Sequence, residues 1–276
     1  REPTGGGLMH RLAVLGHPVA HSQSPRIHQA FASQVGIDIR YDKIQPPLDG
    51  FEARAREFIA AGAKGFNITV PFKFDAYQLA DTVSDSARIA EAVNTIKVQA
   101  DGKLVGDNTD GPGLATDITV NLGWRLRGKR VLVLGAGGAV RGVLGHLLAA
   151  EPECLHLWNR TPAKSAVLVD QFDGLEHFAS GDELESAYDL VINGTSAGLT
   201  GRLPAIPARV IGRNSCVYDM VYSDQTTDFN HWCQANSALA TSDGLGMLVE
   251  QAALAFEIWF GLKVKTEPVI AMLRAT

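Results

Sequence analysis

A chain of 276 residues, 46% hydrophobic and 20% charged, has the length of two moderate domains and a composition that excludes long disordered tracts. Its formal net charge of −5 excludes a broad basic surface for nucleic acid or anionic lipid, and no apolar run reaches the roughly 18 residues of a membrane helix. Three cysteines, Cys154, Cys216 and Cys233, stand far apart without a CxxC pair, so neither a disulfide framework nor a zinc site is expected and a reducing, cytoplasmic compartment fits.

Residues 1–7 end in three glycines, read either as a flexible native extension or as residues foreign to the native chain and receive no role, and no basic stretch followed by an apolar run marks a targeting signal. From there short β-branched or leucine-rich runs alternate with longer amphipathic stretches, the pattern of an α/β protein built from βα units. Strands are expected at 11–16, 40–45 and 65–70, helices near 24–35 and 50–61, and a helix pair across 73–92. Residues 94–99 and 104–107 flank Asp101-Gly102, a dipeptide suited to the positive φ angles of a tight turn, which predicts an antiparallel edge. A connecting helix over 111–122 carries the domain boundary.

A second βα series then begins, with strands expected at 129–134, 155–158, 189–193, 216–220 and 239–241. The stretch 245–260 is apolar on most sides, as in a helix buried between layers, and is expected to fold back onto the first domain.

The strand at 129–134 runs into Gly135-Ala136-Gly137-Gly138-Ala139 and then a helix near 140–149, which places glycines where a pyrophosphate must approach the backbone and amide donors at a helix start. The spacing departs from G-x-G-x-x-G, because Val140 stands at the sixth position. An unliganded glycine-rich turn is the plain alternative. At the end of the next strand an NAD site places Asp or Glu on the ribose diol, whereas this chain has Asn159-Arg160-Thr161. A guanidinium and a hydroxyl suit a 2′-phosphate, so the cofactor expected is NADP. Lys164 adds to that pocket or is a solvated surface lysine. Asn193-Gly194-Thr195-Ser196-Ala197-Gly198 ends a strand at a carboxyl edge, where open sheets bind ligands.

Four polar motifs follow strand ends in the first part and can converge on one cleft. They are His21-Ser22-Gln23-Ser24-Pro25, Asn67-Ile68-Thr69-Val70-Pro71-Phe72-Lys73, Ala92-Val93-Asn94-Thr95 and Asp107-Asn108-Thr109-Asp110-Gly111. Each has a plain reading when taken singly: Ser24-Pro25 as a helix cap, Asp110-Gly111 as the cap of the connecting helix, Lys73 as a surface lysine.

Together with Gly16-His17-Pro18-Val19-Ala20, Tyr218-Asp219-Met220-Val221-Tyr222 and the run from Asp243-Gly244-Leu245-Gly246 to Gln251, these ordered motifs closely resemble the shikimate dehydrogenase family from Leu12 nearly to the C-terminus. The resemblance implies two α/β domains separated by a cleft: a substrate domain of residues 9–112 plus 245–276 and a Rossmann-like NADP-binding domain of 113–244. It implies oxidation of shikimate to 3-dehydroshikimate with NADP, run in the cell as reduction on the route to aromatic amino acids. By family match Lys73 and Asp110 are the catalytic pair. Ser22 and Ser24 fall on the substrate carboxylate, and Thr69, Asn94, Asp110 and Gln251 surround its ring hydroxyls with Tyr222 nearby. Met220 and Gly244 fall beside the nicotinamide, although Met220 also suits a core. The segment after Tyr222 departs from the family in lacking the proline that often follows its threonine.

Two other readings stand beside this one. An NAD-dependent quinate/shikimate dehydrogenase is opposed by the missing acid near Arg160, and an inactive NADPH-binding sensor predicts loss of Lys73 or Asp110, both of which are present. The expected partners are a small-molecule substrate and NADP, with a homodimer as the assembly to test.

Overall fold

The computed structural model describes residues 9–275 apart from 185, 196 and 198–201, so the expectations for residues 1–7, Ser196 and Gly198 lie outside the described residues. The chain divides into two units, Arg1–Thr109 with Gln251–Leu273 and Asp110–Glu250 with Arg274–Thr276.

The first unit contains β1 (His10–Leu15), α1 (Ser24–Val35), β2 (Ile39–Ile44), α2 (Phe51–Ala60), β3 (Ala63–Ile68), α3 (Lys73–Leu79), β4 (Thr82–Val83), α4 (Asp85–Ala90), β5 (Thr95–Val98) and β6 (Leu104–Asp107). Its strands form one sheet in the order β2-β1-β3-β5-β6-β4. Here β5 runs antiparallel to both β3 and β6, while β4 pairs parallel to β6. The expected antiparallel edge is therefore corrected: the hairpin lies inside the sheet, and the two-residue β4, too short to leave a sequence pattern, covers the edge.

α1 buries Ile27, His28, Phe31 and Ala32, one face at helical spacing. It also corrects the capping reading of Ser24. The cap position is Gln23, Ser24 is the first helical residue, and the Ser24 N–H instead donates to Ser22 Oγ at 3.2 Å. The core of this unit gathers Leu15, Phe66, Ile68, Phe72 and Ile96, all at most 2% exposed, between the sheet and α2 and α3.

The second unit runs α5 (Asp110–Thr116), a π-helical turn (Asp117–Asn121), β7 (Arg130–Leu134), α6 (Gly138–Ala149), β8 (Cys154–Trp158), α7 (Pro162–Val169), β9 (Leu175–Phe178), β10 (Leu190–Asn193), β11 (Cys216–Asp219), α8 (Asp228–Ala235) and β12 (Ala240–Asp243). Its sheet is parallel throughout in the order β12-β11-β10-β7-β8-β9. The strand order thus reverses between β7 and β10, and a doubly wound sheet binds ligands at the carboxyl ends of the strands beside such a reversal. The connecting helix is less regular than expected, because α5 passes into the π-helical turn, where Asp117 accepts from Tyr218 Oη at 2.6 Å and from Asn121 Nδ2 at 2.9 Å.

α9 (Leu245–Phe260) and α10 (Glu267–Arg274) complete the chain. Val249, Ala252, Ala255, Phe256 and Trp259 of α9 are almost wholly buried, and the Trp259 indole N–H donates to the Ile96 carbonyl at 2.9 Å. Among the described residues no helix is long and apolar enough to cross a membrane.

Candidate active site

The loop after β7 reverses the chain through Gly135, whose φ of +107° lies in the region that favours glycine. A Cβ there would stand 3.1 Å from the Gly194 backbone, so this loop and the loop after β10 are in close contact at the strand reversal. Above Gly137 and Gly138 the space is open, since a Cβ on either would meet nothing within 4 Å. α6 starts at Gly138, earlier than the sequence pattern suggests, so Gly138 and Ala139 already lie in its first turn and Ala136 packs below on the core. No side chain caps this helix start, which leaves its first amides facing the open glycine cradle. Val140, at the sixth motif position, is buried, and a Cβ on Gly194 would lie 2.4 Å from Val140 Cγ2. The close approach usually supplied by a third loop glycine comes here from the opposite side of the contact.

At the end of β8 the Asn159 side chain donates to the Thr161 carbonyl at 2.8 Å and shapes the turn into α7. Arg160, Thr161 and Lys164 are exposed around that turn, and neither Arg160 nor Lys164 is ion-paired among the described residues. Two cations and a hydroxyl thus line this strand end with no carboxylate among them. These groups, the open cradle and the uncapped helix fit a dinucleotide carrying a 2′-phosphate.

Beside the cradle, Asn193 ties two strand ends together. Its Oδ1 accepts from the Thr195 N–H at 3.1 Å and the Thr195 hydroxyl at 2.8 Å, and its Nδ2 donates to Asp219 at 3.1 Å. Asp219 also accepts from Thr227 Oγ1 at 2.7 Å, and burial, the largest influence, raises its pKa despite these bonds. Sequence reasoning did not single out Asn193 or Asp219 as organisers; their position at adjacent carboxyl ends of a parallel pair was the available signal.

Met220 is half-buried, with its sulfur 3.0 Å from where a Gly194 Cβ would sit. Gly244 lies so close to the Met220 carbonyl that a Cβ would approach it to 2.3 Å. Asp243 holds this junction by accepting from the Leu245 N–H at 3.2 Å, and Arg274 grips the same carboxylate with two nitrogens. Tyr222 follows two residues after Met220, half-buried, its pKa raised first by burial and then by Asp224.

In the first unit, Ser24 is buried and Ser22 half-buried at the entry to α1. Thr69 closes β3 against β1, its N–H donating to the Leu15 carbonyl at 2.9 Å. Lys73 heads α3, and its carbonyl accepts from the Val93 N–H at 2.9 Å, which anchors it next to Asn94 in the chain. Asn94 is 2% exposed, and its Nδ2 donates to Thr109 Oγ1 at 2.9 Å and toward Gln251 Oε1 at 3.4 Å. The structure therefore brings Asn94, Thr109 and Gln251 into one cluster and sets Ser22 against Ser24. Asp110 follows Thr109 directly as the buried first residue of α5.

A doubly wound parallel sheet with an open glycine cradle at its reversal defines the second unit as a Rossmann-type dinucleotide-binding fold. Residues 14–96 match the model of the shikimate dehydrogenase substrate binding domain, residues 115–200 that of shikimate/quinate 5-dehydrogenase, and residues 244–274 that of the shikimate 5′-dehydrogenase C-terminal domain. A shikimate dehydrogenase (NADP(+)) of Thioalkalivibrio sulfidiphilus is 50% identical over 270 residues, 96% of this chain and 98% of its own. The chain belongs to the shikimate dehydrogenase family. Among solved structures, an Ael1 enzyme from Pseudomonas putida is similar with a TM-score of 0.90 and 42% identity, over 96% of this chain and 98% of its own. Shikimate 5-dehydrogenase from Thermus thermophilus, in complex with NADP(H) and shikimate, follows with a TM-score of 0.87 and 36% identity, over 97% and 99%.

Proposed function

We propose that this chain is an NADP-dependent shikimate dehydrogenase that interconverts shikimate and 3-dehydroshikimate and works in the cytoplasm on the route to aromatic amino acids. The observation that carries the reading is the acid-free Asn159-Arg160-Thr161 turn beside an open glycine cradle, in a chain half identical to a curated NADP(+) enzyme. Three unpaired cysteines accord with the reducing compartment.

In this reading the substrate domain is residues 9–112 plus 245–276 and the NADP-binding domain is 113–244. NADP, when bound, accepts or supplies the hydride. The first amides of α6 and the loop Gly135, Ala136, Gly137, Gly138 and Ala139 take the pyrophosphate, Asn159, Arg160, Thr161 and Lys164 the 2′-phosphate end, and Thr195, Met220 and Gly244 border the nicotinamide. Ser22 and Ser24 hold the substrate carboxylate, and Thr69, Asn94, Tyr222 and Gln251 hold its hydroxyls. Lys73 donates a proton to the carbonyl oxygen in reduction and receives it in oxidation, with the Asp110 carboxylate as its partner in the transfer.

Ligand-dependent melting tests the binding half of this reading. A ligand that binds only the folded chain at about 100 times its Kd stabilises by about 2.7 kcal/mol, a shift of several degrees. NADP and shikimate are each expected to raise Tm, with NAD giving a clearly smaller shift at equal concentration. Equal shifts for NAD and NADP would oppose the cofactor assignment.

A further inference from the structure

Behind Asn94 lies a polar row that the roles above leave unused: the buried His28, Asn67 and Thr95 and the half-buried Tyr41. His28 and Thr95 are fully buried and Asn67 is 6% exposed. Two backbone groups determine the direction of every bond in this row.

The Asn94 carbonyl can only accept, so the group facing it at 3.3 Å is Asn67 Nδ2, and the same nitrogen donates to Thr95 Oγ1 at 3.0 Å. Asn67 Oδ1 is thereby turned toward Tyr41 Oη at 2.7 Å and His28 Nε2 at 3.1 Å, and both donate to it. Thr95 has accepted from Asn67 and directs its own proton to Asn94 Oδ1 at 3.0 Å. From the other side the Thr109 N–H, which can only donate, reaches the same Oδ1 at 2.9 Å. Both ends agree that Asn94 Oδ1 is the inward acceptor. Its Nδ2 is the atom turned toward Thr109 Oγ1 and Gln251 Oε1. A flipped amide would oppose oxygen to oxygen at Gln251 and leave the Thr109 N–H facing a donor.

The row carries no charge. His28 stacks on Tyr41 with ring centroids 4.8 Å apart, and burial pulls its pKa down to about 3. The Tyr41 hydroxyl, whose pKa burial raises, donates to Asn67 at the outer end of the row. The row therefore ends on one of the side chains assigned to substrate, Asn94.

We propose that Asn67 and Thr95 are positioning residues that hold the Asn94 amide with Oδ1 inward and Nδ2 beside Thr109 and Gln251, where a ring hydroxyl oxygen of the substrate takes the place of the long 3.4 Å contact to Gln251, and that Tyr41 braces the row from its outer end. This rests on the reading that the first unit binds shikimate. A donor oriented before binding costs less to order when ligand arrives, so the row supports both affinity and selection of a hydroxylated ring.

Calorimetric titration of the whole chain with shikimate, and separately with NADP, tests this. Thr95→Val keeps the shape and removes the hydroxyl. Its Kd for shikimate is expected to rise about tenfold, the worth of roughly one anchoring hydrogen bond, while its Kd for NADP stays within about twofold. Thr95→Ser, which restores the hydroxyl, is expected within about twofold of the unaltered protein for both ligands. Tyr41→Phe removes only the outer hydroxyl and is expected to weaken shikimate about fivefold, which keeps the test decisive if Thr95→Val does not fold. A merely structural role would lower Tm and leave the shikimate affinity of the folded fraction unchanged; that result overturns the proposal. An unaltered protein that binds no shikimate overturns the functional reading instead, a result distinct from equal binding by the unaltered protein and Thr95→Val.

Discussion

Lys73→Ala is expected to lower turnover of shikimate with NADP by about 10²–10⁴-fold, the usual contribution of a positioned acid or base. The side chain is half-buried at the first position of α3, and its backbone is held independently by the bond from Val93. The substitution therefore removes the ammonium while leaving the anchor of the helix start in place. In the proposed role Lys73 acts on the reacting oxygen, so the loss is expected in kcat more than in KM. Steady-state rates on a variant with an unchanged circular dichroism spectrum check this. Near-normal kcat in that folded variant would remove Lys73 from the mechanism.

Arg160→Gln is expected to separate the two cofactors. Hydrogen bonds to charged groups contribute about 1.5–3 kcal/mol, so loss of the guanidinium should weaken NADP roughly 10–100-fold. NAD lacks the 2′-phosphate and should change by about threefold or less. Arg160 is exposed at the turn from β8 to α7, so its replacement leaves no buried group unsatisfied and stability should hold. The ratio of KM values for NADP and NAD measures the effect. An equal loss for both cofactors would place Arg160 outside the phosphate site.

The elements most legible in the sequence are those whose pattern matches their burial. α1 and α9 occupy the residues that periodicity assigns to them, and the cores of β7, β10 and β11 are continuous apolar runs of the kind a sheet covered on both faces requires, while β8 is interrupted only by His156. β9 carries Glu176 and His177 in four residues at the sheet border, so hydrophobicity alone gives no strand there. α7 had a readable start signal in Thr161-Pro162, a capping type before proline, yet only eight residues of helix follow. α8 and α10 are equally short, and their buried faces depend on neighbours that a local window does not contain.

The site divides in the same way. Glycines, Arg160, Lys73 and the Asn94-Thr95 pair stand in contiguous motifs at strand ends, where chain order and chemistry coincide. His28, Tyr41 and Asn67 come from α1, β2 and β3, and their hydrogen bonds span 26 and 39 positions. The parallel pairing of β1 with both β2 and β3 brings the last two segments into one sheet, α1 packs His28 against it, and no local spacing encodes either. The early start of α6 has a similar origin, because Gly138 is a poor helix former whose place is decided by the loop contact at Gly135 and Gly194.

The most direct test of the central claim is absorbance at the reduced-nicotinamide band while the protein is mixed with shikimate or quinate and with NADP or NAD, in all four combinations. Rapid reduction with shikimate and NADP alone is the predicted result. Preference for quinate with NAD, or no reduction in any combination, would contradict it, the first pointing to a quinate/shikimate dehydrogenase and the second to a cofactor-binding sensor.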